Sequence, residues 1–177
     1  MALDLGPCRV YYGGADGDDA EEDLGKTQGG VKVTFSQAVA DLLSDQYGTE
    51  PEDQVLTGHG ALISIPMADY SLANMATALH KTVKTLADDS GIKGDSVVGS
   101  KLSSYAYSLI LKKYVLGVVS TDEDDWIRFP KAAPTGNIEI MFDGTTQRII
   151  VSEFRAFPDA SEVLYYIGSK TAADGGS

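Results

Sequence analysis

From Val31 to Phe35 the chain alternates without interruption, with Val31, Val33 and Phe35 on one side and Lys32 and Thr34 on the other. A period of two suits a half-buried β-strand and is incompatible with an amphipathic helix. The same period returns over residues 60–66, where Ala61, Ile63 and Ile65 alternate against Leu62 and Ser64. Only one stretch carries the helical period. Ser71 can cap it, and Leu72, Met75, Ala76 and Leu79 fall at i, i+3, i+4 and i+7. A chain with many two-period segments and one three-to-four-period segment predicts a mainly β fold with one flanking α-helix, an antiparallel sandwich or barrel.

The remaining segments fit that class. Cys8-Arg9-Val10-Tyr11-Tyr12 is a short strand stopped by Gly13-Gly14. Residues 103–111 and 113–119 read as paired strands, and an exposed acidic turn at residues 122–125 precedes the strand Trp126-Ile127-Arg128-Phe129. Asp143-Gly144 supplies the positive φ angles of a tight turn, predicting a hairpin of residues 137–142 with 146–154. Residues 162–168 are expected as a last strand, and residues 171–177 as a flexible tail. Polar, turn-rich stretches at about residues 15–30, 41–58 and 81–100 predict long loops within a single domain spanning residues 1–170. Loops of that length in a compact domain usually have a job.

Composition narrows the function. The 177 residues hold 26 Asp and Glu against 14 Lys and Arg, a formal net charge of −12. Lys112-Lys113 is the one basic pair, so no platform for neutralising a phosphate backbone is expected. The apolar runs at residues 61–65 and 115–119 are far shorter than the roughly 18 residues of a membrane span, and residues 1–7 have neither the basic nor the apolar region of a signal peptide. The single cysteine, Cys8, excludes an intramolecular disulfide and a thiolate metal cluster, and is expected as a small buried side chain on a strand.

Candidate chemistry is sparse. Residues 20–27 fit a relaxed phosphate-loop pattern ending in Gly25-Lys26-Thr27, but three carboxylates inside the loop would repel phosphate, and a strand follows where a helix is needed. Asp16, Asp18, Asp19, Glu21, Glu22 and Asp23 are rich enough in oxygen for calcium, yet lack the spacing of a helix–loop–helix site, and a solvated loop is expected. His59, between two glycines, reads as a turn residue and His80 as a helix-end residue; neither has a zinc spacing or a nucleophile motif beside it. Trp126 and the pairs Tyr11-Tyr12 and Tyr165-Tyr166 suit packing on strand faces. No catalytic residue, metal ligand or cofactor is expected.

One pattern is more specific. It begins with Gly29-Gly30-Val31-Lys32-Val33-Thr34-Phe35 and passes through Asp45-Gln46-Tyr47-Gly48-Thr49-Glu50-Pro51-Glu52-Asp53 and Val55-Leu56-Thr57-Gly58. The strand at residues 61–66 and the helix Ser71-Leu72-Ala73-Asn74-Met75-Ala76-Thr77-Ala78-Leu79 complete it. Over these 50 or so residues the chain resembles phage and prophage tail tube proteins, also called major tail or virion structural proteins. The acidic insertion at residues 16–23 and the segment 81–99 lie outside the shared pattern.

The resemblance implies a non-enzymatic subunit that closes into rings, typically hexamers, stacked into a hollow tube. Inner-sheet strands of all subunits would join into one barrel around the lumen, and the helix would cover the outer side. The contact loop to an adjacent subunit or ring would include Asp45, Gln46, Tyr47, Gly48, Glu50, Pro51 and Asp53. The implied partners are other copies of the chain, other tail components, and genomic DNA sliding past an acidic lumen without specific binding. The implied location is the virion tail, assembled in the host cytoplasm, with no membrane. A tail terminator, neck or capsid decoration protein is the alternative, and a calcium-dependent binding β-sandwich a further one.

Overall fold

The computed structural model describes residues 6–14, 22–43, 51–79, 83–85, 91–94, 98–99, 101–138, 140 and 148–169. The fold is mainly β. Its main sheet is antiparallel and runs β2 (Glu22–Asp23), β1 (Cys8–Tyr12), β7 (Tyr107–Val115), β9 (Trp126–Pro134), β10 (Ile150–Phe157), β4 (Pro51–Met67), β3 (Lys32–Leu43). Two short strands attach to it, β8 (Val118–Val119) on β7 and β11 (Tyr166–Ile167) on β9, while β5 (Val83–Thr85) and β6 (Ile92–Gly94) pair separately. The described helix α1 spans Leu72–Ala78.

Alternation builds the core. On β4 the side chains of Ala61, Ile63, Ile65 and Met67 are buried, and on β10 those of Ile150, Ser152, Phe154 and Ala156. β7 and β9 occupy the middle of the sheet and are buried on both faces over Ser108–Leu111 and Arg128–Pro130. The sheet is strongly curled. Tyr12 of β1 meets Phe154 of β10 edge-on at 5.0 Å and donates its hydroxyl to the Ala132 carbonyl at 3.2 Å. Phe35 of β3 reaches back over Phe129 of β9, two strands beyond its own neighbour, with ring centroids 6.4 Å apart.

One stretch joins the two margins of the curled sheet. Leu24 N–H donates to Val10 C=O on the β1 side at 3.0 Å. Gln28 N–H then donates to Pro66 C=O at 3.0 Å, and Ala68 N–H to Lys26 C=O at 2.8 Å, both on the β4 side. Between them the chain crosses at Gly25, with φ +83. A Cβ there would lie 2.8 Å from Asp69 Oδ2 and 3.0 Å from Asp69 Cβ, so the crossing needs glycine for its angle and for its space.

Several local expectations change. Residues 41–58 are in large part strand, because β3 continues to Leu43 and β4 begins at Pro51. Register shifts at Ala38/Val39 and Leu42/Leu43 break the period of two, which is why alternation alone misses this extension. Within the expected loops at 15–30 and 81–100, β2, the bridge of Thr27 to Met67 and the β5–β6 hairpin add short paired pieces. The break expected at Lys112 is absent. β7 is continuous there, since Lys112 pairs with Arg9 of β1 on one side and Trp126 of β9 on the other, and the chain turns at Leu116-Gly117. Residues 102–105 form a 3-10 turn instead of strand.

The last strand shrinks to Tyr166–Ile167, since Asp159 closes a turn by accepting from Ser161 N–H and Val163 N–H, each at 2.8 Å. Residues 137, 138 and 140 are not in a strand, and the Asp143-Gly144 turn lies outside the described residues. Ser71 caps α1 as expected, its Oγ accepting from Asn74 N–H at 3.1 Å. The buried face of the helix is Asn74 and Ala78, however, with Met75 half-buried and Leu72 exposed. Side-chain hydrogen bonds, more than an aliphatic stripe, set its orientation.

Candidate assembly surface

The outer halves of β3 and β4 form a two-stranded ribbon from Gln37 to Leu43 and from Pro51 to His59. Every described side chain along it is exposed except at Gly58. A ribbon of this kind satisfies its backbone through ladder hydrogen bonds and requires no core beneath it. Its side chains are nevertheless not those of a solvated arm. Val39 lies opposite Leu56, Ala40 opposite Val55, and Leu42 opposite Asp53. Val39, Leu42, Val55 and Leu56 are each about half exposed. Gln54 and Asp41 face each other across the strands, with Gln54 Nε2 donating to Asp41 Oδ1 at 2.8 Å. Apolar pairs therefore occupy both faces of an extension that joins no buried cluster among the described residues.

The root of the ribbon is tightly built. Gly60 faces Ser36, and a Cβ on Gly60 would come within 2.8 Å of Ser36 Oγ. His59 pairs with Gln37 in the middle of β4, so it is a strand residue and not the turn residue expected. With Pro158, Glu162, Leu164 and Tyr165 it lines an open cavity of about 520 Å³. His80 lies outside the described residues.

Of the expected contact residues, Asp45, Gln46, Tyr47, Gly48 and Glu50 lie outside the described residues. Pro51 and Asp53 sit at the start of β4, where Asp53 Oδ1 accepts from Gln54 N–H at 2.7 Å. The residues that the sequence reading missed are the aliphatic ones on either side of that segment. Their signal was present, as Val39, Leu42, Val55 and Leu56 are frequent strand formers, but it was masked by the polar residues between them.

Charge is distributed in local pairs. Arg9 and Asp23 tie β1 to β2 with a nitrogen–oxygen distance of 2.7 Å, and Asp23 Oδ1 also accepts from Gly25 N–H at 2.8 Å. The acidic turn at Glu123–Asp125 is capped by Asp122 and partnered by Arg128 and Lys113, at 3.0 Å and 3.6 Å. Trp126 is buried and donates Nε1–H to Ser120 C=O at 2.9 Å, a packing role. Cys8 is a half-buried free thiol on β1, and burial pushes its pKa up. Burial likewise raises that of the Tyr12 hydroxyl.

Among the described residues no three His, Cys, Asp or Glu side chains gather as a metal site, and no described helix is long and apolar enough to cross a membrane. No protein-family model matches the chain, and no curated protein matches it.

Proposed function

We propose that this protein is a structural, non-catalytic subunit of a phage tail tube that assembles into rings stacked around an acidic lumen. The observation that carries the reading is the β3–β4 ribbon, whose exposed Val39, Leu42, Val55 and Leu56 join no buried cluster among the described residues. Scattered apolar residues are normal on a surface, but apolar pairs concentrated on one extension mark an interaction site. β3 supports the same reading, because among the described strands it pairs only with β4 and leaves its other edge open. Open edges of that length invite pairing with another chain, and ring closure removes them. The net charge of −12 lets the phosphate backbone of DNA pass without adhering. The resemblance over residues 29–79 directs these features to the tail tube class.

Negative-stain electron microscopy over a concentration series, with mass photometry beside it, tests the reading. Stacked rings with a central hole are expected, with a hexameric ring at about 113 kDa, six times the 18.8 kDa subunit. A monomer at every concentration overturns it, and one discrete ring that never stacks moves the assignment to a tail terminator, neck or decoration protein.

A further inference from the structure

The inner face of β4 runs out of aliphatic residues before the strand ends. Ile65, Ile63 and Ala61 are buried at successive positions of that face, and His59, next in the period of two, is exposed instead. At this end the core opens into the cavity of about 520 Å³ that His59 lines with Pro158, Glu162, Leu164 and Tyr165. One wall is aromatic. The Tyr165 ring packs on Phe35 with centroids 4.6 Å apart, and Phe35 in turn reaches the buried Phe129. Tyr165 and Phe35 nevertheless keep 37% and 43% of their surface exposed, so the wall is available to a ligand.

The polar groups beside that wall are uncommitted. Among the described residues the Glu162 carboxylate, the His59 imidazole and the Tyr165 hydroxyl make no hydrogen bond or ion pair. Glu162 is also fixed, at φ +63, an angle that side chains of its size rarely adopt. The turn below it is closed by Asp159, which accepts from Ser161 N–H and Val163 N–H through Oδ1 and from Glu162 N–H through its carbonyl. A free carboxylate on a fixed turn, next to an exposed aromatic face, suits a planar cation. A guanidinium meets both, because its fork of N–H groups matches a carboxylate and its weakly hydrated face stacks on a ring. An ammonium is a strongly hydrated point charge and gains less from the wall. The net charge of −12 draws cations to such a cavity, whereas a neutral sugar gains nothing from it. We infer that this cavity binds a guanidinium group, Glu162 accepting its N–H groups, Tyr165 stacking on it, and a ring nitrogen of His59 accepting a further N–H. Two sources carry that group, a free small molecule such as agmatine and an arginine side chain of a polypeptide. The inference does not rest on the tube reading.

Isothermal titration of the full chain with agmatine tests it. Putrescine is the reference, since it carries the same two positive charges without the planar group. Saturable binding of agmatine is expected, several-fold tighter than that of putrescine. Glu162→Gln is expected to weaken it about ten-fold or more, by loss of the charge-assisted hydrogen bonds. Glu22→Gln removes the same unit of charge from the exposed strand β2 and is expected to leave the affinity unchanged. Tyr165→Leu keeps an apolar wall without the ring and is expected to cost several-fold, with Trp126 emission unchanged as the check on folding. Titration that does not saturate, equal affinity for agmatine and putrescine, or equal losses for Glu162→Gln and Glu22→Gln overturns the inference and leaves only diffuse attraction of cations. A blocked Ala-Arg-Ala peptide separates the sources. Binding at least as tight as that of agmatine assigns the site to an arginine side chain, and weaker binding to a small molecule, both upholding the guanidinium. Saturable agmatine binding in a preparation that forms no tubes would retire the tube reading and leave this site standing.

Discussion

Asn74 holds Leu24 in place. Its Nδ2 donates to the Leu24 carbonyl at 3.1 Å and to the Asp69 carbonyl at 3.0 Å, joining α1 to the stretch that bridges the two margins of the curled sheet. The side chain is buried, and the Leu24 carbonyl depends on it, whereas the Asp69 carbonyl also accepts from Ser71 N–H at 3.1 Å. Asn74→Ala leaves a buried acceptor unsatisfied and is expected to cost about 1–3 kcal/mol in urea unfolding. Asn74→Asp sets a carboxylate against two carbonyl oxygens and is expected to cost more. Equal losses for the two variants would show that the amide donors are not what fixes the helix.

Gly25 provides the companion test. Alanine at φ +83 carries a backbone penalty of roughly 1–2 kcal/mol, and here its Cβ also collides with the Asp69 side chain. Gly30 has φ +85 with open space around it, so Gly30→Ala carries the backbone penalty alone. Gly25→Ala is expected to lower the melting temperature further than Gly30→Ala. Matching shifts would mean that Asp69 yields and that the crossing is not sterically limited.

The mainly β, antiparallel character was legible because the core strands obey a strict rule. Ile63, Ile65 and Met67 are each fully buried, as alternation on a one-sided sheet demands. Ser71 was legible for a similar reason, since a hydroxyl just ahead of a helical period has one favourable use. What alternation does not encode is length beyond the core. The extra residues that β4 carries at the two register shifts rotate the pattern, and a polar ribbon sustained by its ladder looks like loop in the sequence. The hairpin tip was hidden by the opposite bias. Val115, Leu116, Val118 and Val119 read as the interior of a strand, and only the backbone angles of Leu116 and Gly117 reveal a turn. The helix misled because a polar residue, Asn74, occupies its buried face.

Cys8 yields a prediction about reactivity. Burial disfavours the thiolate and raises the pKa, so less of the nucleophilic form exists at pH 8 than in an unfolded chain. Alkylation by iodoacetamide is expected to be slower in the folded protein than in urea, with its pH–rate profile displaced upward. The same shift has a stability sign. The folded state holds the thiol proton more tightly, so this group leaves stability unaffected well below the unfolded pKa. It lowers stability as pH rises through that value toward the folded one. A folded-state profile superimposed on the unfolded one would place the thiol in solvent.

The ribbon separates folding from assembly. Val39 and Leu56 face each other, both about half exposed, and neither belongs to the buried cluster around Phe129 and Phe154. Replacing both with Asp removes apolar contact area without opening a cavity, so unfolding free energy is expected to move by no more than about 1 kcal/mol. The buried Trp126, the chain's single tryptophan, reports this through its emission during urea unfolding. Self-association is a different matter, because two carboxylates placed in a dry contact must be desolvated without partners. The double variant is expected to stay monomeric at concentrations where the wild type forms rings, as read by mass photometry. If it assembles as readily as the wild type, the ribbon is a passive extension and the contact must lie elsewhere on the sheet. If it fails to fold, the ribbon carries stability that its exposure does not reveal.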